Sequence, residues 1–493
     1  MAARLTAYLV VGIVGLTFIA GLTVGALRDD DGPVDLIVHS GVVFTGDITP
    51  RPEMPEAVAV RANQILKVGS NREILRLQRP QTVTIDAKGA AVVPGFNDAH
   101  LHLVRGGLAL TGVDLTGAAS VDEAVARVRA WAEANPEPEW IVGRGWSEEL
   151  LEADERPTRQ ALDGAVADRP VQLLSDDGDT VWVNSRALRL ARIARRTPDP
   201  EAGRILRDPR THEATGILEG AAAEAIAELV PEPTREERTR ALFAAIAEAQ
   251  RHGITSLQDA DGEPLDFEAL DAARRAGSVG MRVYSALPIH TARTDDDVAA
   301  LDDVMKRYPD DPFFKGGAAK IATDGLDADA LNKLVRLLDA RGWQVTIEAE
   351  SDDEVELARA AFRHAERSNP APVRDRRHRL EHQERHFTRV GDKLALGSDW
   401  PRGPLAPMRV LQTAVPRLSL AQALQAYTVN GAYASYDEQR KGFLKPGMLA
   451  DLVVLTEDIF SIDPSKLEGV KVAYTIFDGR VVYPRQADRR TSN

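Results

Sequence analysis

Between residues 93 and 436, seven strand-like apolar runs alternate with helices rich in Ala, Arg and Glu, and each run ends in polar residues. The runs lie at 91–96, 253–257, 282–287, 319–322, 344–347, 379–380 and 394–396. A long helix, 234–251, precedes the second of them. Strands that alternate with helices imply a parallel sheet covered on both faces, either a barrel or a doubly wound sheet. Polar residues at the C-terminal ends of parallel strands are where such barrels keep their chemistry. Residues 103–250 hold extra helices and one extra strand at 170–174, and read as a large insertion after the first strand.

The two ends of the chain share another pattern. Short apolar strands at 35–41, 57–60, 65–68 and 82–85 are matched by others at 450–455, 472–476 and 480–483. The expectation is one small β-sandwich built from 34–92 and 437–486, beside a barrel spanning 93–436.

Residues 5–27 carry no charge and are rich in Leu, Val, Ile and Gly. As a helix they would extend about 35 Å, enough for a hydrocarbon core of about 30 Å. Arg4 precedes the run, and Arg28, Asp29, Asp30 and Asp31 follow it. This favours a cytoplasmic N-terminus and a body on the exported side of the membrane. Residues 1–32 are thus expected to be an anchor or, if cleaved near Val24, Gly25 and Ala26, a signal peptide with a secreted product. Gly21 and Gly25 form a GxxxG pair, a spacing found at helix–helix contacts and also by chance in Gly-rich runs.

Composition narrows the chemistry. The chain has 61 Lys and Arg against 75 Asp and Glu, a net charge of −14, which does not suit sequence-independent nucleic-acid binding. There is no cysteine, so thiolate metal sites, disulfides and cysteine nucleophiles are excluded. Any metal must be held by imidazole, carboxylate or a modified lysine.

Only ten histidines occur, and two of them, His100 and His102, stand two apart at the end of a strand. Both imidazoles then share a face, as does Asp98. A paired imidazole is half of a metal site. Four further strand ends supply compatible groups. Lys320 lies in an apolar strand, where desolvation favours the neutral amine; such an amine can be carboxylated to an anionic ligand, or the lysine can be ion-paired to a neighbouring acid. Glu348, His382 and Asp399 end the next strands. Asp399 suits a ligand that also moves a proton, although Ser398-Asp399-Trp400-Pro401 also has the form of a helix cap.

These stretches carry a resemblance. Residues 93–102 (VPGFNDAHLH), 253–259 (GITSLQD), 320–325 (KIATDG), 377–382 (RHRLEH), 397–401 (GSDWP) and 442–455 (GFLKPGMLADLVVL) resemble amidohydrolase family 3 of the metal-dependent amidohydrolase superfamily, which includes N-substituted formamide deformylase-like enzymes. The resemblance implies a distorted TIM (β/α)8-type barrel with a β-sandwich made from both chain ends. It implies a divalent metal, one or two ions and zinc by preference, with His100, His102, Lys320, His382 and Asp399 at the matching metal-site positions; Glu348 is a further candidate ligand by its own chemistry, and a carboxylated Lys320 could serve as a bridge. Asp399 matches the proton-transferring carboxylate. The implied activity is hydrolysis of C–N bonds other than peptide bonds in small amides, formamides or ureas.

Three departures stand beside it. Glu348 takes the place of an expected imidazole, with more oxygen donors making manganese more competitive. Asp179 replaces a histidine that follows a glycine, here Gly178. Only residues 383–398 separate His382 from Asp399, room for a short strand such as 387–390 but not for two crossover helices. These departures motivate a competing expectation: a tethered pseudoenzyme that binds without catalysing. Trp146, Trp182 and Trp343 could line a pocket, with buried packing the leading expectation for each. Neither the substrate nor the oligomeric state is written in the sequence.

Overall fold

The computed structural model describes residues 33–48, 54–151, 156–176, 178–289, 294–308, 310–323, 326–349, 351–381 and 387–484. The run 5–27, its GxxxG pair and His382 lie outside these residues. Among the described residues, no helix is long and apolar enough to cross a membrane.

An eight-stranded sheet forms the centre of the molecule. Its strands are β1 (Phe96–Leu101), β2 (Ile254–Asp259), β3 (Arg282–Pro288), β4 (Phe314–Ile321), β5 (Gln344–Glu348), β6 (Arg379–Glu381), β7 (Phe387–Val390) and β8 (Lys393–Leu396). They neighbour one another in chain order, from β1 at one edge to β8 at the other. The first six are parallel. Helices Pro264–Arg275, Asp295–Arg307, Ala328–Ala340 and Asp352–Ser368 connect β2 through β6 in turn. Ala328–Ala340 shows why: Leu331, Leu334, Val335 and Leu338 recur at helical spacing and are buried. Asp352–Ser368 starts at a Ser351/Glu354 capping box and buries Ala358, Ala361 and Ala365.

The pattern breaks after β6. Strand β7 runs antiparallel to both β6 and β8. A hairpin, with Gly391 in the left-handed region at φ +58°, thus takes the place of a helical crossover. The short interval before Asp399 leads to this: one strand fits, and two helices do not. Because β8 resumes the direction of β6, its C-terminal end still points to the same mouth as β1 through β6.

Strands β8 and β1 do not form a ladder, yet the ring is nearly closed at their C-terminal ends. The Asp399 N–H donates to the His100 carbonyl at 2.9 Å, and the His102 N–H donates to the Trp400 carbonyl at 2.8 Å. Gly397 permits this approach: a Cβ there would stand 2.6 Å from the His100 nitrogen.

Two further sheets come from the chain ends. One contains Gln64–Gly69, Ala57–Arg61, Leu36–His39 and Val83–Asp86; the other contains Val42–Val43, Ala91–Pro94, Leu452–Leu455, Val472–Phe477 and Arg480–Tyr483. Leu36, Val38, Val58, Ile85, Val92, Leu452 and Ile476 share one apolar cluster between them. Strand Leu452–Leu455 pairs with Ala91–Pro94, which runs straight into β1. Packing of the two chain ends therefore sets where β1 delivers its histidines.

The stretch after β1 is richer in strands than the sequence suggested. It holds a six-stranded sheet, in the order Gly203–Arg207, Ala214–Gly220, Thr180–Val183, Val171–Ser175, Ile141–Trp146, Val113–Asp114. Only the Val171–Ser175 strand was expected. The others are short or broken by Gly and Arg, as in IVGRGW and GRILR, so their alternation is weak.

Candidate metal centre at the barrel mouth

His100 and His102 leave the end of β1 with their rings nearly perpendicular, at 87°, and their centroids 5.4 Å apart. Nε2 of His100 lies 3.5 Å from Oδ1 of Asp399, and Nε2 of His102 lies 3.4 Å from the same atom. All three side chains are buried, and one ligand atom from each falls within 4.8 Å of the others.

The opposite edge of each ring is engaged by a carboxylate. Nδ1 of His100 is 2.9 Å from Oε2 of Glu381, and Nδ1 of His102 is 2.6 Å from Oδ1 of Asp261. A carboxylate at Nδ1 fixes the ring orientation and raises the basicity of Nε2. The carboxylates are themselves held. Arg379 meets Glu381 at 2.8 Å, and Arg105 meets Asp261 at 2.5 Å. Arg379 also donates to Gln258 and to the Ala99 carbonyl, so it ties β6 to β2 and β1.

Asp399 is presented by backbone geometry. Its φ is +54°, a region that Asp tolerates better than most residues. Asp98 secures the turn beside it: its carboxylate accepts from the Ser398 N–H at 3.0 Å and the Tyr427 hydroxyl at 2.7 Å. Asp98 thus acts behind the site although it shares parity with the two histidines. The cap alternative for Asp399 does not occur, because the next helix, Pro407–Ala414, has Ala406 at its N-cap.

The electrostatics follow from burial and pairing. For His100, burial opposes protonation, but the charge of Glu381 and the Asp399 contact outweigh it and push its pKa up to about 9. Burial would raise Glu381, but the charges of His100 and Arg379 hold it down to about 2. Asp261 is likewise lowered, burial being overcome by the hydrogen bond from His102. Asp98 is pushed up to about 6 by burial, despite the Tyr427 and Ser398 hydrogen bonds.

The remaining candidates divide. Lys320 on β4 is buried, and its Nζ lies 3.1 Å from Oε1 of Glu348 on β5. Glu348 does not belong to the His100, His102 and Asp399 group. Asp179 is exposed, after Gly178. Trp146, Trp182 and Trp343 are buried, and each indole N–H is bonded, to Leu173, Thr158 and Asp302 respectively. Asp261 and Glu381 were not singled out from the sequence. Both lie at strand ends, Asp261 two residues past Asp259 and Glu381 two past Arg379, so a same-face reading of each end would have found them.

A nearly closed eight-stranded ring with imidazoles and a carboxylate at the C-terminal mouth defines a hydrolase-type centre. The amidohydrolase family model matches residues 83–388 and 385–483, and the chain belongs to that family, which makes it an enzyme that hydrolyses C–N bonds. The chain is similar to the putative amidohydrolase YtcJ of Bacillus subtilis (strain 168), 27% identical over 541 residues that cover 91% of this chain and 99% of that one. It is similar to the N-substituted formamide deformylase of Arthrobacter pascens, 25% identical over 540 residues, covering 92% and 98%. Among solved structures it resembles an uncharacterized metal-dependent hydrolase from Pyrococcus furiosus, with a TM-score of 0.64 and 22% identity over 87% of this chain and all of that one.

Proposed function

We propose that this protein is a metal-dependent hydrolase of small amides, formamides or ureas, with His100, His102 and Asp399 as ligands of a divalent ion and Asp399 as the proton carrier. One observation carries the reading: both imidazoles have Nδ1 against a carboxylate and Nε2 directed at a single Asp399 oxygen. Two nitrogens and one carboxylate oxygen fit zinc, whose catalytic sites use three protein ligands and keep one position open. His382 remains a further candidate ligand on sequence grounds. When bound, the ion would acidify a water and polarise the scissile carbonyl.

The chain's own residues would do the rest. Glu381 and Asp261 orient the imidazoles. Asp399 accepts a proton from the attacking water at one carboxylate oxygen and returns it to the departing nitrogen. Burial of all three keeps bulk water from competing. The formamide deformylase relative supports N-acyl or N-formyl compounds as the first substrates to try. Residues 5–27 support tethering on the exported side of a membrane, checked by fractionation of cells with and without that segment.

Elemental analysis of the purified chain, followed by an amide, formamide and urea screen, tests the reading. Bound metal with turnover supports it. A chain that binds no divalent ion and turns over nothing is instead the non-catalytic binding protein. Asp399→Asn with bound metal and an unchanged rate would remove the proton-carrier role.

A further inference from the structure

We infer that each imidazole of the centre is held at two points, ring and main chain, by the end of one other strand, and that Arg379 and Asp259 are the positioning residues that supply the main-chain points. This rests on the metal-dependent reading above.

Around His100 the bonds form a closed circuit. Glu381 bridges: its Oε2 is 2.9 Å from Nδ1 of His100, and its Oε1 is 2.8 Å from Nη2 of Arg379. The same Nη2 donates to the carbonyl oxygen of Ala99, in the peptide that leads into His100. One guanidinium nitrogen thus ties the ring of His100, through Glu381, to the main chain of His100. The other, Nη1, donates to Oε1 of Gln258 on β2, and Nε2 of Gln258 donates in turn to the Gly431 carbonyl at 2.9 Å. The planar fork of Arg379 therefore crosses from β6 to β1 and β2, and it cannot swing without breaking bonds to both.

Around His102 the same plan recurs with the opposite charge. Oδ1 of Asp261 is 2.6 Å from Nδ1 of the ring. Two residues earlier, Asp259 accepts from the Leu103 N–H at 2.9 Å with one oxygen and from the Ser285 hydroxyl at 2.6 Å with the other. Leu103 opens the helix Leu103–Thr111, and His102 is its N-cap with no side-chain cap bond. Asp259 supplies from outside an acceptor for one of the first N–H groups of that helix. The imidazole of His102 is not drawn back onto its own helix.

Ring partner and main-chain partner stand two residues apart in both cases, Arg379 with Glu381 and Asp259 with Asp261. All four side chains except the partly exposed Asp261 are buried. A buried ion pair such as Arg379 with Glu381 is weak evidence for stability, because desolvation offsets the attraction. It does fix direction. An imidazole turns about two side-chain torsions, and with ring edge and main chain both bonded, Nε2 is left one heading.

The test uses the full chain, stripped of metal and titrated with cobalt(II). Cobalt absorption reports the coordination geometry, chelator competition gives the affinity, and denaturant melts of the metal-free chain report the fold. Arg379→Lys keeps the charge but replaces the fork with one ammonium. Asp259→Ala removes the acceptor, whereas Asp259→Asn keeps an oxygen for the Leu103 N–H. The expected result is one spectrum and one affinity for the parent and Asp259→Asn. Arg379→Lys and Asp259→Ala should fold without metal, shift the spectrum and bind cobalt roughly tenfold more weakly. A parental spectrum and affinity in either of these two, or equal losses in Asp259→Asn and Asp259→Ala, would overturn the inference and leave the hydrolase reading standing. Failure of either to fold without metal would make that residue a prop of the barrel and overturn its assignment as well. A parent chain that binds neither cobalt nor zinc would overturn both readings.

Discussion

On one side of the barrel mouth, two imidazoles have their Nδ1 edges against Glu381 and Asp261 and their Nε2 edges turned to Asp399. On the other side, Lys320 and Glu348 are turned toward each other. Both sides use ionisable groups at the ends of parallel strands, and both are largely buried. They differ in where the donor atoms point. On the first side, carboxylates sit behind the imidazoles and leave both Nε2 atoms facing one Asp399 oxygen. On the second, cation and anion face each other at 3.1 Å. Residue type at a strand end therefore does not set where its donor atoms point; the groups around it do.

The largest effect that would break this contrast is at Asp399. Asp399→Asn should retain the fold and lower kcat by roughly 10²- to 10⁴-fold, the usual range for a lost proton carrier. Steady-state kinetics with metal content measured on the same sample checks it. Next come the groups behind the rings. Asp261→Asn and Glu381→Gln should each weaken metal affinity by roughly 10- to 100-fold, read by competition with a chelator. If affinity is unchanged in both, the orientation of the imidazoles does not depend on them and the contrast between the two sides is lost.

The pH dependence sharpens the comparison further. In the metal-free chain, His100 titrates at about 9 against an ordinary 6.5. Its contribution to stability is therefore complete below about pH 6.5 and is lost as the pH rises through 9. An ion must displace the same proton, so affinity should climb about tenfold per pH unit toward 9 and then level off. Glu381 has the opposite sign. Held at about 2 against an ordinary 4.5, it contributes stability above about pH 4.5 that is lost as the pH falls toward 2. Thermal melts across pH, with His100→Gln as the control, check the alkaline limb.

The smallest effect is expected at Tyr427→Phe. It removes one hydrogen bond to Asp98 and should cost about 1–3 kcal/mol, with metal stoichiometry intact. Denaturant melts would report it.

The parallel strands and their polar ends were legible because long apolar runs between amphipathic helices leave few alternatives. His100, His102 and Asp399 were legible through spacing and position, and they do converge. Three things were not. The six-stranded sheet after β1 is made of short strands broken by Gly and Arg, whose alternation is too weak to read. The antiparallel β7 was expected as a short strand, but its direction depends on a three-dimensional turn. Asp261 and Glu381 were passed over because a carboxylate behind a ligand has no spacing signature of its own. The contact of Lys320 with Glu348 depends on the register of β4 and β5, which is invisible in a single sequence.

The seam between β8 and β1 gives the centre a mechanical role. The backbone bonds that bring the two edges together at the C-terminal ends of these strands involve His100, His102 and Asp399 themselves, together with Trp400. A cation gripping these three side chains would act as a rivet through the lap joint of the cylinder. Loading the pocket and locking the wall would then be one cooperative event, so a chelator would loosen the architecture as well as silence the chemistry.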